Sequence, residues 1–413
     1  MFINCRIRLV ITLAFLALST SLCLAQLGRS SKQVSLKTFS LQEGVNSADI
    51  SPDESLVAIE RTSEHKTADN TTIFSEVVEL WNFREDKVVA TATLKSVDEQ
   101  PMSSNVAHNP LMTPHFVRFS GEGKVVVVYL DGSITLLRAS DLGFLRTVMI
   151  AVPPNITRPH VYKGNSRIVV VHTKLEAMEM SPTGTSLALL WVTGFSHGSV
   201  DFYDISTGQL MAGWEAPSGL ILLEGGHHLA WDSVSPLVYV ALPNATPCGN
   251  PNNIPDVLGV DSQTGMTKVG ITTGLIVGDI AVTPGHELLA VDRNCVNVLQ
   301  NHHPRMKVFD LSTGKFARNV QADGTGVRYA VSVSRDGQRA VAWTSDMRCQ
   351  FDWLDMVCYD RAVKEMLTIW HLPDFSVVAS AVVNTPSDRP LRMSSMGRYV
   401  LTYGKTVSVL ELP

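Results

Sequence analysis

Residues 281–320 read AVTPGHELLAVDRN, then an irregular insert, then MKVFDLSTGKFARNV. This stretch constrains the fold more than any other, because its order of apolar runs and turns recurs along the chain. It predicts one antiparallel sheet: a strand ending at Val282, a tight turn at Thr283-Pro284-Gly285-His286, a second strand through Val291, and a loop. A third strand from Met306 to Leu311, a turn at Ser312-Thr313-Gly314-Lys315 and a fourth strand complete it. A chain of 413 residues ordinarily argues for two or three domains, but repeats of this kind close into a single body.

Six further copies follow the same pattern. The first pairs ISPDESLVA, from Ile50, with VVELWNFREDKVVATATL. The second begins FVRFSGEGKVVVVYL at Phe116, the third MEMSPTGTSLALLWV at Met178, and a degenerate fourth LAWDSVSPLVYVAL at Leu229. With the stretch above as the fifth, a sixth starts AVSVSRDGQRAVAW at Ala330. The seventh, LRMSSMGRYVLTYGKTVSVLELP, ends after its third strand. First turns lie about 50–70 residues apart, longer than the ~40–45 of compact four-stranded repeats, and the excess falls in loops. No segment sustains a 3.6-residue apolar period, so helices are not expected. A last sheet short of one strand leaves N–H and C=O groups unpaired. The alternating Val34-Ser35-Leu36-Lys37-Thr38-Phe39 is expected to fill that edge beside residues 406–412, closing the ring.

The N-terminal 25 residues carry Arg6 and Arg8, an apolar run from Leu9 to Leu22, and small residues before Gln26. This pattern reads as a cleaved signal peptide and implies a secreted or periplasmic protein. Residues 26–32 then form a flexible lead and residues 33–413 the folded body. Removing Arg6 and Arg8 from 34 basic residues leaves 32 against 39 acidic ones, a formal charge of −7. With no basic tract, nucleic acid is excluded as a partner. The longest apolar run of the mature chain, VVVVYL from Val125, stops at Asp131-Gly132 and is far short of the ~18 residues a membrane span needs. The mature chain keeps Cys248, Cys295, Cys349 and Cys358. Their positions in loops predict disulfides Cys349–Cys358 within one insertion and Cys248–Cys295 between adjacent repeats.

The ISPDESLVAI and VFDLSTGK segments resemble the hairpin and third-strand motifs of the WD-repeat and YVTN-repeat β-propellers, and the resemblance covers about residues 33–413. Trp81 and Trp370 stand at the third-strand tryptophan of a WD repeat without the Asp that follows it there; Tyr203 and Phe309 lie nearby in other copies. The resemblance implies an all-β fold: a single seven-bladed propeller of four-stranded antiparallel blades, the last closed by an N-terminal strand. Propellers of this kind include scaffolds, lactonases and dehydrogenase subunits, so two functions stay open. One is a monomeric interaction module that binds a protein through long loops on one face. The other is an enzyme, a lactonase-like hydrolase or dehydrogenase subunit, with its site at the channel mouth.

The starts of the innermost strands should ring the channel, which nominates His115, Glu176, His228, Asp279, Arg328 and Arg392 as ligand-binding candidates. Long excursions at residues 63–76, 95–114, 150–174, 243–255, 293–305 and 345–364 gather on one face. Within the last, CQFDWLDMVC places Phe351, Trp353, Leu354 and Met356 in a segment that should otherwise be polar, so these four are the expected partner-binding residues. Gly194-Phe195-Ser196-His197-Gly198 matches a nucleophile elbow, but it joins two strands rather than a strand and a helix, so it reads as a turn. His286-Glu287 lacks the second histidine of a zinc-protease helix. No catalytic residue, cofactor or metal is assigned from sequence.

Overall fold

A computed structural model describes residues 37–43, 45–66, 72–98, 115–162, 165–171, 173–193, 197–217, 229–242, 255–275, 277–292, 305–321, 330–352, 357–372, 374–383, 391–403 and 406–413. Seven four-stranded antiparallel sheets follow one another along the chain, joined by one two-stranded ribbon, and no helix occurs among the described residues. The expected unit appears as Val277–Val282, Glu287–Asp292, Arg305–Asp310 and Lys315–Gln321, in that order across the fifth blade.

The ring closes as the unpaired edge demands. Lys37–Glu43 is the outermost strand of the seventh blade, with Lys37 opposite Glu411 and Phe39 opposite Val409. The described pairing runs on to Glu43, past the Phe39 limit read from the alternating pattern, through an irregularity between Ser40 and Glu43. The Phe39 ring meets Phe83 of the first blade edge-on at 5.6 Å, so the closing strand is held by packing as well as by the ladder.

Seven apolar clusters hold the blades, each built from two neighbours. Val57 and Ile59 pack with Leu401 and Val409 of the seventh blade, while the intervening Ala58 packs with Val117 and Val126 of the second. Strand alternation therefore serves both neighbours. It also explains the unbroken VVVVYL: Val126 and Val128 face the first blade, Val127 and Tyr129 the third. Trp370 is fully buried where blades five and six meet. A side chain of that kind is worth about 3–5 kcal/mol against alanine.

Every blade turns from its first strand to its second on the same device. Ser51, Ser120, Ser181, Asp232, Thr283, Ser334 and Ser394 are all buried, and each backbone N–H donates across the turn to a carbonyl at the start of the second strand. The side-chain oxygen in turn accepts a backbone N–H from the turn or the second strand, as Ser334 Oγ does from Arg339 at 2.9 Å and Ser394 Oγ from Tyr399 at 2.9 Å. Three residues further on, φ is positive at Gly123, Gly184, Gly337 and Gly397, where glycine carries no steric cost. Glu54 and His286 hold that position in the first and fifth blades, at φ 59° and 62°. Both reach the preceding turn: Glu54 Oε1 accepts the N–H of Met396, and His286 Nδ1 lies 3.1 Å from Asp232.

Of the stretches read as loops between second and third strands, those of blades one and six are instead continuations of those strands, while residues 243–254 and 293–304 lie outside the described residues. In the sixth blade, Arg339–Asp352 and Val357–His371 pair far beyond the sheet. The first strand pairs outward only to Trp343, and the fourth strand only to Glu365. Residues 344–352 thus project as a two-stranded ribbon about 30 Å long. A second ribbon, Ile156–Tyr162 with Asn165–Val171, occupies the connection from blade two to blade three. Residues 1–25 and 26–32 lie outside the described residues.

Candidate functional site

One register position of each innermost strand, two residues before its turn Ser, Thr or Asp, is occupied by Asp49, Arg118, Glu179, Ala230, Ala281, Ser332 and Arg392. Five of them (Asp49, Arg118, Glu179, Ser332 and Arg392) line a cavity of about 210 Å³ on the axis. Arg392 of the seventh blade forms a two-pronged pair with Glu179 of the third, one prong Nη1 to Oε2 at 3.0 Å, the other joining Nη2 and Oε1. Arg118 Nη2 stands 3.8 Å from the same carboxylate, while its Nε donates to the Met178 carbonyl. Burial pushes the Asp49 carboxyl up, against the lowering pull of Arg118 and Arg392.

The turn end of this channel is crowded. Arg335 donates to the Gly121 carbonyl at 2.8 Å, and a Cβ on Gly184 would stand 2.4 Å from the Gly121 backbone nitrogen. Neighbouring inner strands are also pinned by side chains: Asp49 Oδ2 accepts from Phe119 N–H, Asp279 Oδ2 from Val331 N–H, and Ser332 Oγ from Met393 N–H.

Against this geometry the sequence candidates separate. Arg392 lies in the axial cavity, engaged by Glu179. Asp279 is fully buried and bonded to backbone N–H groups of its own and the next blade. Glu176 meets Lys174 at 3.2 Å. His115 joins Glu60 and Glu76 at the junction of blades one and two, with Nδ1 2.8 Å from Glu60 Oε1 and 3.4 Å from Glu76 Oε2. Of these four candidates, Arg392 is the one that lines the axial cavity. His228 and Arg328 lie outside the described residues, as do Cys248, Cys295, Ser196, Trp353, Leu354 and Met356. Phe351 is on the sixth-blade ribbon opposite Cys358, and Cys349 is opposite Asp360. The two cysteines are thus offset by two register positions.

Asp49, Arg118 and Glu179 were missed from sequence. Counting back two residues from each turn Ser, Thr or Asp finds them at once, because that spacing fixes the strand face. Glu60 and Glu76 carry no such signal, since their meeting with His115 depends on two blades docking.

At the blade junction, burial disfavours charge on His115, but hydrogen bonds and charges from Glu60 and Glu76 prevail and raise its pKa to about 10. Burial also pushes Glu60 up, whereas at Glu76 burial is outweighed by the bond and charge of His115 together with bonds from Glu60 and Thr62, which hold it down. Thr62 Oγ1 donates to Glu76 at 3.1 Å, and Asn46 Nδ2 lies 3.3 Å from both Glu60 Oε1 and His115 Nδ1.

No family model matches the chain, and no characterised protein matches it in sequence. Among solved structures it is similar to the C-terminal WD40 domain of Sif2, with a TM-score of 0.48 and 10% identity over 92% of this chain and 99% of that one. The seven blades, the shared turn device and the closing N-terminal strand make this chain a single seven-bladed β-propeller of four-stranded antiparallel blades.

Proposed function

We propose that the protein is an extracytoplasmic interaction module that binds a protein partner through the face bearing its long insertions. The observation that carries this reading is the sixth-blade ribbon of residues 344–352 and 357–364, which extends beyond both flanking strands of its sheet. An extension that adds nothing to the blade ladder is free to serve recognition. Between its two strands the sequence carries Trp353, Leu354 and Met356, with Phe351 just before them, a set suited to anchoring a protein surface. The basic and apolar N-terminal pattern supports export, and no helix among the described residues is long and apolar enough to cross a membrane. The channel-mouth enzyme draws little support from this geometry, since Arg392 is engaged by Glu179 and Asp279 by backbone.

The test replaces residues 345–364 with a two-residue hairpin turn and separately makes Trp353→Ala. Both proteins should melt close to the parent while losing capture of the extracytoplasmic partner. Capture that survives the ribbon deletion overturns the reading.

A further inference from the structure

We propose that Glu60, Glu76, His115 and Asn46 form a binding site for one divalent transition-metal ion of the zinc class, placed between the first two blades and away from the channel axis. A carboxylate oxygen from each glutamate and a ring nitrogen of His115 all lie within 4.8 Å of one another. This is the sole such group among the described residues. Carboxylate and imidazole together suit zinc and its neighbours rather than calcium or magnesium.

A second observation points to a cation. Glu60 is 1% exposed, and its Oε2 is buried without a hydrogen-bond partner. A buried carboxylate oxygen without a donor is costly, and a metal ion satisfies it without needing one. The surroundings resemble the supporting shell of a metal site: the Thr62 hydroxyl donates to the Glu76 carboxylate at 3.1 Å and fixes it. Rotating the Asn46 amide by half a turn presents its carbonyl oxygen to the same space and supplies a fourth ligand. Asn46 is itself exposed, which gives an ion a route in from solvent.

Cobalt(II) is the probe, because it replaces zinc and absorbs visibly when four-coordinate. Chelator-stripped protein should bind one equivalent of Co²⁺ with a visible band, gain thermal stability, and surrender the band to Zn²⁺. Glu60→Gln and Glu76→Gln, which keep side-chain volume, should each weaken binding roughly 100-fold or more. X-ray absorption on the unaltered cobalt protein needs no variant to fold, and should find a single imidazole nitrogen among oxygen ligands. Absence of one-to-one binding, a first shell of several imidazoles or none, or undiminished affinity in folded Glu60→Gln and Glu76→Gln would each overturn the proposal.

Discussion

Glu54 of the first blade and Arg398 of the seventh meet at 2.5 Å, carboxylate Oε2 to guanidinium Nε, across the seam where the ring closes. The same carboxylate accepts the Met396 N–H at 2.9 Å, and its side chain is wholly buried. Glu54 therefore occupies a left-handed turn position where the other blades favour glycine, and the cross-seam bonds offset that backbone strain.

Replacing Glu54 with alanine keeps the strain and removes the bonds. The loss should be about 1.5–3 kcal/mol for the charge-assisted hydrogen bond to Met396. Glu54→Gly should recover about 1 kcal/mol of it by releasing the backbone. Urea unfolding of the three proteins checks the order.

Deleting residues 26–43 should destabilise the whole body rather than fray one end. It strips the outer strand from the seventh blade and removes Phe39 from Phe83. The expected signature is a single cooperative transition at lower denaturant. A separate early transition confined to the seventh blade would contradict it.

In chelator-treated protein, the stability contributed by His115 should fall with rising pH. Its folded pKa, about 10, lies above the ordinary 6.5. The contribution is therefore complete below about pH 6.5 and lost as pH climbs toward 10, on the order of 5 kcal/mol in all. His115→Gln should flatten that alkaline limb in denaturant titrations run from pH 6 to 10.

Arg392→Ala should cost about 3–5 kcal/mol, because it removes the two-pronged partner of Glu179 and takes a cation from Asp49. Adding Glu179→Ala should recover part of that loss. A double-mutant cycle by chemical denaturation measures the coupling.

Cys349 and Cys358 should form a disulfide that draws the ribbon register two residues along, since the described pairing sets them diagonally. Non-reducing peptide mapping should recover the joined peptide. Two free thiols at these positions would show that the ribbon keeps its present register.

Sequence alone determined the number of blades, the order of strands and the closing partner. These follow from local alternation, turn residues and one missing strand, all of which are short-range. The fifth-blade strands fall where residues 281–320 placed them, and Lys37–Glu43 completes the seventh. Tertiary structure decided which polar side chains meet. Arg392 and Glu179 stand 213 residues apart, and Glu60 and His115 55 apart, so no local pattern pairs them. It also decided that the apparent loops of blades one and six are strands. A ribbon of two strands satisfies its own backbone, whereas a loop of the same length needs other partners for its N–H and C=O groups.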